Sequence, residues 1–351
     1  MVVKYRQLGK TGIKVSEIGF GTWGLGGDKG GARSYGPVND RESLSALNRA
    51  FELGINFYDT SDFYGFGHSE TVLGRAFKGR RSKVVIAGKV GFMDTTGRQD
   101  FSQQHIRRSL EGSLKRLGTD YLDVYQLHSP PIELLVDSSD RNTKCVGSCR
   151  LPRPAVARTG RVSRTEFPET IGAMQKLQDE GLIRSWGVSL KSPDDGLLLL
   201  KYCHVGCVQV NFNLADQRAS LNGLFDLCLK NEVGVIARTP LCFGFLTGLY
   251  ADTGQLAESD HRRKWSKAQV ASWHRASDMF VRFFKNKKLT KAQLALCFCL
   301  SFKAVSTVIP GMLTSVQVEE NAEAGRMGAL ARKELAEIRL IYSSHDFFCG
   351  A

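Results

Sequence analysis

No stretch of the chain approaches the roughly 18 uninterrupted apolar residues of a membrane span. The first residues, Met1-Val2-Val3-Lys4-Tyr5-Arg6, lack the apolar region of a secretory signal. Both absences predict a cytoplasmic protein that does not enter a membrane. Nor is there a cysteine framework: nine cysteines, an odd number, are scattered at 145, 149, 203, 207, 228, 242, 297, 299 and 349, which suits reduced thiols. The tight group Cys203-His204 with Cys207 has no second ligand pair at a usable distance, so no metal is expected. Acidic residues are in deficit, 35 against 48 Lys and Arg, giving a net charge of +13. That excess would steer polyanions such as a phosphorylated cofactor toward the surface. It does not predict nucleic-acid binding, because the basic clusters Lys78 to Lys83, His261 to Lys267 and Lys285 to Lys288 are separate. Each reads as a solvated face.

What remains is an ordinary globular composition, 42% hydrophobic and 24% charged over 351 residues. The length suits a single α/β barrel, which needs about 250 residues and often carries insertions. Two short strands flank Gly9-Lys10-Thr11-Gly12, a hairpin signature. Then strands and helices alternate. Strand-like runs lie at Ile18 to Thr22, Ile55 to Tyr58, Val84 to Lys89, Leu122 to His128, Ile183 to Ser189, Cys207 to Asn211, Val233 to Ala237 and Ser306 to Ile309. Helical patterns occur at about 40–53, 68–78, 102–117, 167–181, 193–203, 218–232, 290–302 and 314–327. Eight such pairs predict a parallel (β/α)8 TIM barrel spanning 1–351, with an N-terminal β-hairpin and an extra C-terminal helix from about Ala331 to Ser343.

Two connections break the rhythm. Residues 132–166 form a basic insertion rich in Arg, Pro, Gly and Ser, a composition that favours disorder. Residues 239–289 carry Trp265, Trp273, Phe280, Phe283 and Phe284, enough apolar surface to fold as helices over the barrel mouth. The literal G-x-G-x-x-G at Gly19 to Gly24 is set aside as a dinucleotide fingerprint, because the glycine run continues to Gly31 where a helix would have to open.

The polar residues at strand ends carry the chemistry. Asp59 and Tyr64 follow the second strand, Lys89 ends the third and His128 ends the fourth. A lysine at the end of an apolar strand sends an ammonium into the barrel mouth, where burial is costly unless a carboxylate pairs with it. Asp59 is the candidate partner. A phenol with an ordinary pKa near 10 needs a neighbouring cation to act as an acid and base, and Lys89 is placed to supply one. His128 is suited to holding a carbonyl oxygen or relaying a proton. Taken singly, each residue also has an ordinary structural reading, as a turn cap, loop packing, a snorkelling lysine or a core imidazole.

Together with these four, the motifs Leu8-Gly9-Lys10-Thr11-Gly12, Gly54-Ile55-Asn56-Phe57-Tyr58-Asp59-Thr60, Leu117-Gly118-Thr119-Asp120-Tyr121-Leu122-Asp123, Gln209-Val210-Asn211-Phe212 and Val308-Ile309-Pro310-Gly311 resemble the aldo-keto reductase family almost end to end. The resemblance implies a barrel that binds NADP(H), with NAD(H) possible, and passes hydride between nicotinamide C4 and a carbonyl or alcohol substrate, an aldehyde, ketone or sugar-like compound. It places Asp59, Tyr64, Lys89 and His128 in the family's catalytic tetrad, Tyr64 being the general acid and base. It puts Ser189 and Gln209 on the nicotinamide carboxamide. Thr22, Asp59, Pro240, Leu241, Gly244, Leu246, Gly311, Gln317, Glu320 and Asn321 fall at the remaining cofactor positions, and Trp23, Tyr64, Phe92 and His128 around the substrate.

The chain also departs from that pattern. Met312-Leu313 stand where many relatives carry an Arg or Lys for the 2′-phosphate, and Leu190 stands where many carry Asn. Two other functions stay open at this level. One is an NADP(H)-binding regulatory subunit resembling the potassium-channel β subunits, and the other is imine chemistry on Lys89.

Overall fold

In a computed structural model, which describes residues 3–135, 166–282 and 288–348, the alternating pattern closes into a barrel. The N-terminal hairpin comes first, β1 (Tyr5–Gln7) against β2 (Lys14–Ser16), antiparallel with Arg6 opposite Val15. Then follow β3 (Phe20–Gly21), α1 (Asp40–Glu52), β4 (Phe57–Asp59), α2 (His68–Ala76), β5 (Val85–Val90), α3 (Gln103–Leu117), β6 (Leu122–His128), α4 (Glu166–Asp179) and β7 (Ile183–Ser189). The second half supplies α5 (Pro193–Tyr202), β8 (Cys207–Asn211), α6 (Arg218–Leu221), α7 (Leu224–Lys230), β9 (Gly234–Arg238), α8 (Lys267–Val281), α9 (Lys291–Leu300), β10 (Val305–Ile309), α10 (Ser315–Met327) and α11 (Arg332–Ser343). Strands β3 to β10 form one eight-stranded sheet in chain order, all neighbours parallel. Single bridges from Ile18 to Val308 and from Gly21 to Gly311 join the first strand to the last.

Two apolar cores hold it. The larger lies between the outward faces of the strands and the ring of helices. The smaller fills the barrel: Phe57, Ala87, Val124, Cys207, Ile236 and Ile309 meet Leu8, Ile13 and Val15 of the hairpin, which seals the amino-terminal end. Near that end the buried Asp123 ties three elements together. It receives Arg81 Nη2 and Arg184 Nη1, each at 2.8 Å, and the backbone N–H of Ile86 at 2.9 Å.

The sequence expectations differ from the structure at several places. In the Lys78 to Lys83 cluster Arg81 is half-buried and paired with Asp123, and so is not a solvated side chain, while Lys285 to Lys287 of the third basic cluster lie outside the described residues. The first strand is shorter than Ile18 to Thr22. The helix expected over 218–232 is split into α6 and α7, because Gly223 sits at φ 91° and Asn222 Oδ1 accepts the N–H of Leu224 in a local turn. The cluster His261 to Lys267 is not a solvated face: Arg262 is buried and forks onto Asp260, with Nη2 at 2.6 Å from Oδ2, because this segment folds back over the barrel mouth. Trp265, Trp273 and Phe280 of the same connection pack there, as their apolar surface requires, and Phe283 and Phe284 lie outside the described residues. So does most of the 132–166 insertion, all but a short turn at Ile132–Leu134 and the start of α4. Helix α11 packs on α8. Among the described residues no helix is long and apolar enough to cross a membrane.

Candidate active site

Side chains alternate along a strand, so every second residue of a barrel strand points inward. Starting from the sealed core and stepping by two toward the open end, Phe57 leads to Asp59, Ala87 to Lys89, Val124 to Gln126 and then His128, Cys207 to Gln209, and Ile236 to Arg238. The interior thus changes from hydrocarbon to polar groups within one step of the strand period. That change builds the site.

Lys89 is fully buried. Its ammonium donates to Asp59 Oδ1, to the carbonyl of Thr60 at 3.0 Å and to the Tyr64 hydroxyl at 3.1 Å. Three acceptors satisfy its three protons. Asp59 Oδ2 accepts from Gln209 Nε2 at 2.7 Å and Gln126 Nε2 at 3.4 Å, so the carboxylate is held on both oxygens. A buried ion pair is worth little unless its remaining hydrogen-bond positions are filled, and here they are. Burial opposes the Lys89 charge, but Asp59 and the Tyr64 oxygen more than offset it, and its pKa lies above the usual lysine value. Burial is likewise the largest influence on Tyr64 and raises its pKa, with Lys89 pulling the other way. The phenol is therefore protonated at neutral pH with a cation ready for its conjugate base.

His128 faces the Tyr64 ring edge-on with centroids 5.9 Å apart, and its Nδ1 lies 3.3 Å from Ser61 Oγ. Burial, then Lys89 and Arg238, push its pKa well below the ordinary imidazole value. It is neutral, and one ring nitrogen can donate a hydrogen bond without bringing charge.

The loop that carries Tyr64 is fixed by close backbone contact. A Cβ on Gly26 would stand 2.7 Å from Gly65 N, and one on Gly65, where φ is +61°, would overlap the Gly26 carbonyl. Only glycine fits at either place. Trp23, one turn before Gly26, packs edge-on against the Tyr64 ring with centroids 4.9 Å apart. Phe92 meets the His128 ring at 4.8 Å.

A cavity of about 660 Å³ opens above these groups, within the range typical of small-molecule and cofactor sites. Of the residues singled out from the sequence, Trp23, Asp59, Tyr64, Phe92, His128, Gln209, Pro240, Leu241, Gly244, Gly311, Gln317, Glu320 and Asn321 border it. Four do not. Lys89 lies behind Asp59 and Tyr64; Thr22 is buried with its hydroxyl donating to the Asp59 carbonyl at 2.8 Å; Ser189 is buried 3.4 Å from Gln209 Oε1; and Leu246 is in the core.

Sequence reasoning overlooked Arg238, a second cation on the same wall. It ends the apolar strand β9 as Lys89 nearly ends β5, so the signal that drew attention to Lys89 was present there too. It also overlooked Tyr35, His261 and Lys264, which reach the cavity from long loops with no periodic pattern to place them.

Comparison with known proteins bears on the family and the fold. The sequence profile of the aldo/keto reductase family matches residues 17–343. An L-galactose dehydrogenase of Arabidopsis thaliana is 35% identical over 92% of this chain and 88% of its own length. A probable voltage-gated potassium channel subunit beta of Oryza sativa subsp. japonica is 27% identical over 92% and 91%. Among solved structures, the holo form of an aldo-keto reductase from Bacillus halodurans superposes with a TM-score of 0.72 at 27% identity, covering 97% of this chain and 96% of that one. With its hairpin-sealed eight-stranded barrel and this match over nearly its whole length, the chain belongs to the aldo/keto reductase family of oxidoreductases.

Proposed function

We propose that this protein interconverts a carbonyl compound and its alcohol using a nicotinamide cofactor, NADP(H) before NAD(H), with Tyr64 as the proton donor and acceptor. The observation that carries the reading is the Lys89 ammonium 3.1 Å from the Tyr64 hydroxyl and in ion-pair contact with Asp59. When bound, the nicotinamide supplies or takes up hydride at its C4. The protein's part is the proton and the oxygen. Tyr64 donates its hydroxyl proton to the carbonyl oxygen as it becomes an alkoxide, and Lys89 stabilises the phenolate left behind. Neutral His128 donates a hydrogen bond to the same oxygen and fixes its direction. Asp59 keeps Lys89 protonated and in place.

The cavity fits such a cofactor. Gln209, at the inner end, has its amide anchored on Asp59, which orients it for a carboxamide, and Ser189 lies beside it. Gln317, Glu320 and Asn321 border the same cavity. Lys264 on the long connection borders it too, a cation suited to a 2′-phosphate in place of positions 312 and 313, whereas Lys291 at the start of α9 is paired with Asp278 at 2.6 Å. The substrate end is aromatic, with Trp23, Phe63, Phe92 and Tyr35, and suits an aldehyde, ketone or sugar-like carbonyl that presents hydrocarbon edges.

Lys89 is held as an ammonium by Asp59, so imine formation on it is disfavoured. A cofactor-binding regulatory subunit is the second reading, favoured by the likeness to the rice channel subunit. Fluorescence titration with NADPH and NADH, followed by a carbonyl and alcohol panel, separates the two. Turnover that vanishes in Tyr64→Phe with cofactor binding intact supports the oxidoreductase. Tight binding without turnover across the panel supports the regulator, and no binding of either cofactor refutes both.

A further inference from the structure

The charges around the cavity floor do not cancel. Lys89 is matched by Asp59, and Asp216 is matched by Arg218, whose Nη2 lies 2.6 Å from Oδ2. Arg238 has no such match. Among the described residues no ion pair includes it; its Nη2 donates to the Leu190 carbonyl at 2.7 Å, and its Nε is buried without a partner. It points inward by the strand period, borders the cavity, and stands opposite Asn211 of β8 and Ile309 of β10 in the ladder. The Leu190 bond stretches the side chain across the end of β8 to the residue that follows Ser189. Its guanidinium therefore lies over the strand ends that carry Ser189 and Gln209, close enough to Tyr64, Asp59 and His128 to act on their charges.

We propose that Arg238 sets the redox preference of the bound cofactor: its uncompensated charge beside the nicotinamide disfavours the cationic oxidised ring and leaves the neutral reduced ring unpenalised. The inference rests on the reading that the nicotinamide sits at Ser189 and Gln209. A cation acts on the two redox forms differently only through the ring charge, since the phosphates and adenine are the same in both. A ligand can shift an equilibrium only by its difference in affinity for the two states, so the protein binds the reduced form more tightly and the potential of the bound couple rises. The protein would then rest loaded with the hydride donor.

The test is equilibrium binding, by isothermal titration of NADPH and NADP+ into the full-length protein, with NADH and NAD+ in parallel. At ring-to-guanidinium contact, screened as inside a protein, the charge favours the reduced form by about tenfold or more. Arg238→Gln is expected to bring the two dissociation constants to within about threefold by tightening NADP+ while NADPH changes little. Arg238→Lys, which keeps the charge, is expected to keep most of the difference. Equal affinities in the wild type overturn the inference even if Arg238→Gln fails to fold. A ratio that survives Arg238→Gln, or collapses equally in Arg238→Lys, also overturns it. If neither redox form binds the wild type, the proposed function falls and takes this inference with it, an outcome distinct from binding with an unmoved ratio.

Discussion

Replacing Lys89 by methionine keeps most of the side-chain volume and removes one buried charge, and the structure says what should follow. At 3.1 Å an ammonium and a phenolate attract by about 5 kcal/mol at an effective dielectric near 20, equivalent to roughly four powers of ten in the phenol's acidity. Asp59, in contact with the same ammonium, cancels part of that. The rate of the chemical step is therefore expected to fall by about 10²- to 10⁴-fold. Stability changes independently. Asp59 is left as a buried carboxylate with only Gln209 and Gln126 as donors, and breaking a buried pair in this way costs about 3–5 kcal/mol. In Asp59→Asn/Lys89→Met both charges are gone, so most of the stability should return while the rate stays low. Urea denaturation gives the first quantity, and single-turnover NADPH oxidation with a saturating carbonyl gives the second. A Lys89→Met enzyme within tenfold of wild type, or a double variant no more stable than the single one, would refute the role assigned to the pair.

Other outcomes follow from the same groups. The Tyr64 phenol is raised above its ordinary value of 10.0 and His128 is lowered well below 6.5. The reductive rate should thus be level through neutral pH and fall only above pH 10, while an acid limb near 6.5 that disappears in His128→Gln would contradict a neutral imidazole. His261 has its pKa brought down to about 4 from 6.5 by burial. A folded-state value below the unfolded one contributes stability that is present above pH 6.5 and lost as the pH falls to about 4, so His261→Asn should flatten the acid arm of a plot of melting temperature against pH. Asp123→Asn weakens two ion pairs at the sealed end and should lower stability by about 2 kcal/mol or more, measured in urea, with kcat/KM unchanged; a large drop in kcat/KM would mean that the lower barrel is coupled to the site.

The architecture was legible because the apolar runs are short, buried on both faces and separated by helices of ordinary length, a pattern only a parallel sheet satisfies. Lys89 and His128 were legible for a related reason: a charged or polar residue closing an apolar strand has no reason to be there unless something at the strand end uses it. The same argument applies to Arg238, but the family resemblance falls on Pro240 and Leu241 just after it and leaves Arg238 itself unmarked. The break at Gly223 was not legible, because the hydrophobic period of 218–232 runs through it unbroken and a period does not register a left-handed residue. The upper wall was hidden for another reason. His261 and Arg262 look like part of a basic surface run, and only the return of residues 239–282 over the mouth buries them against Asp260 and Tyr35.

Gly26 and Gly65 meet backbone to backbone, with no side chain between them to act as a bearing. The first and second loops of the barrel therefore cannot slide past each other, and Trp23 and Tyr64 travel as one rigid piece. The long connection is tied to that piece as well: Trp23 Nε1 lies 3.3 Å from His261 Nδ1 and Ser34 bridges Asp260, so the first loop joins the Tyr64 loop to the segment that roofs the mouth. Redesign has a natural division of labour here: Trp23, Phe63 and Phe92 line the cavity and can be varied, provided the two glycines that register Tyr64 are left alone.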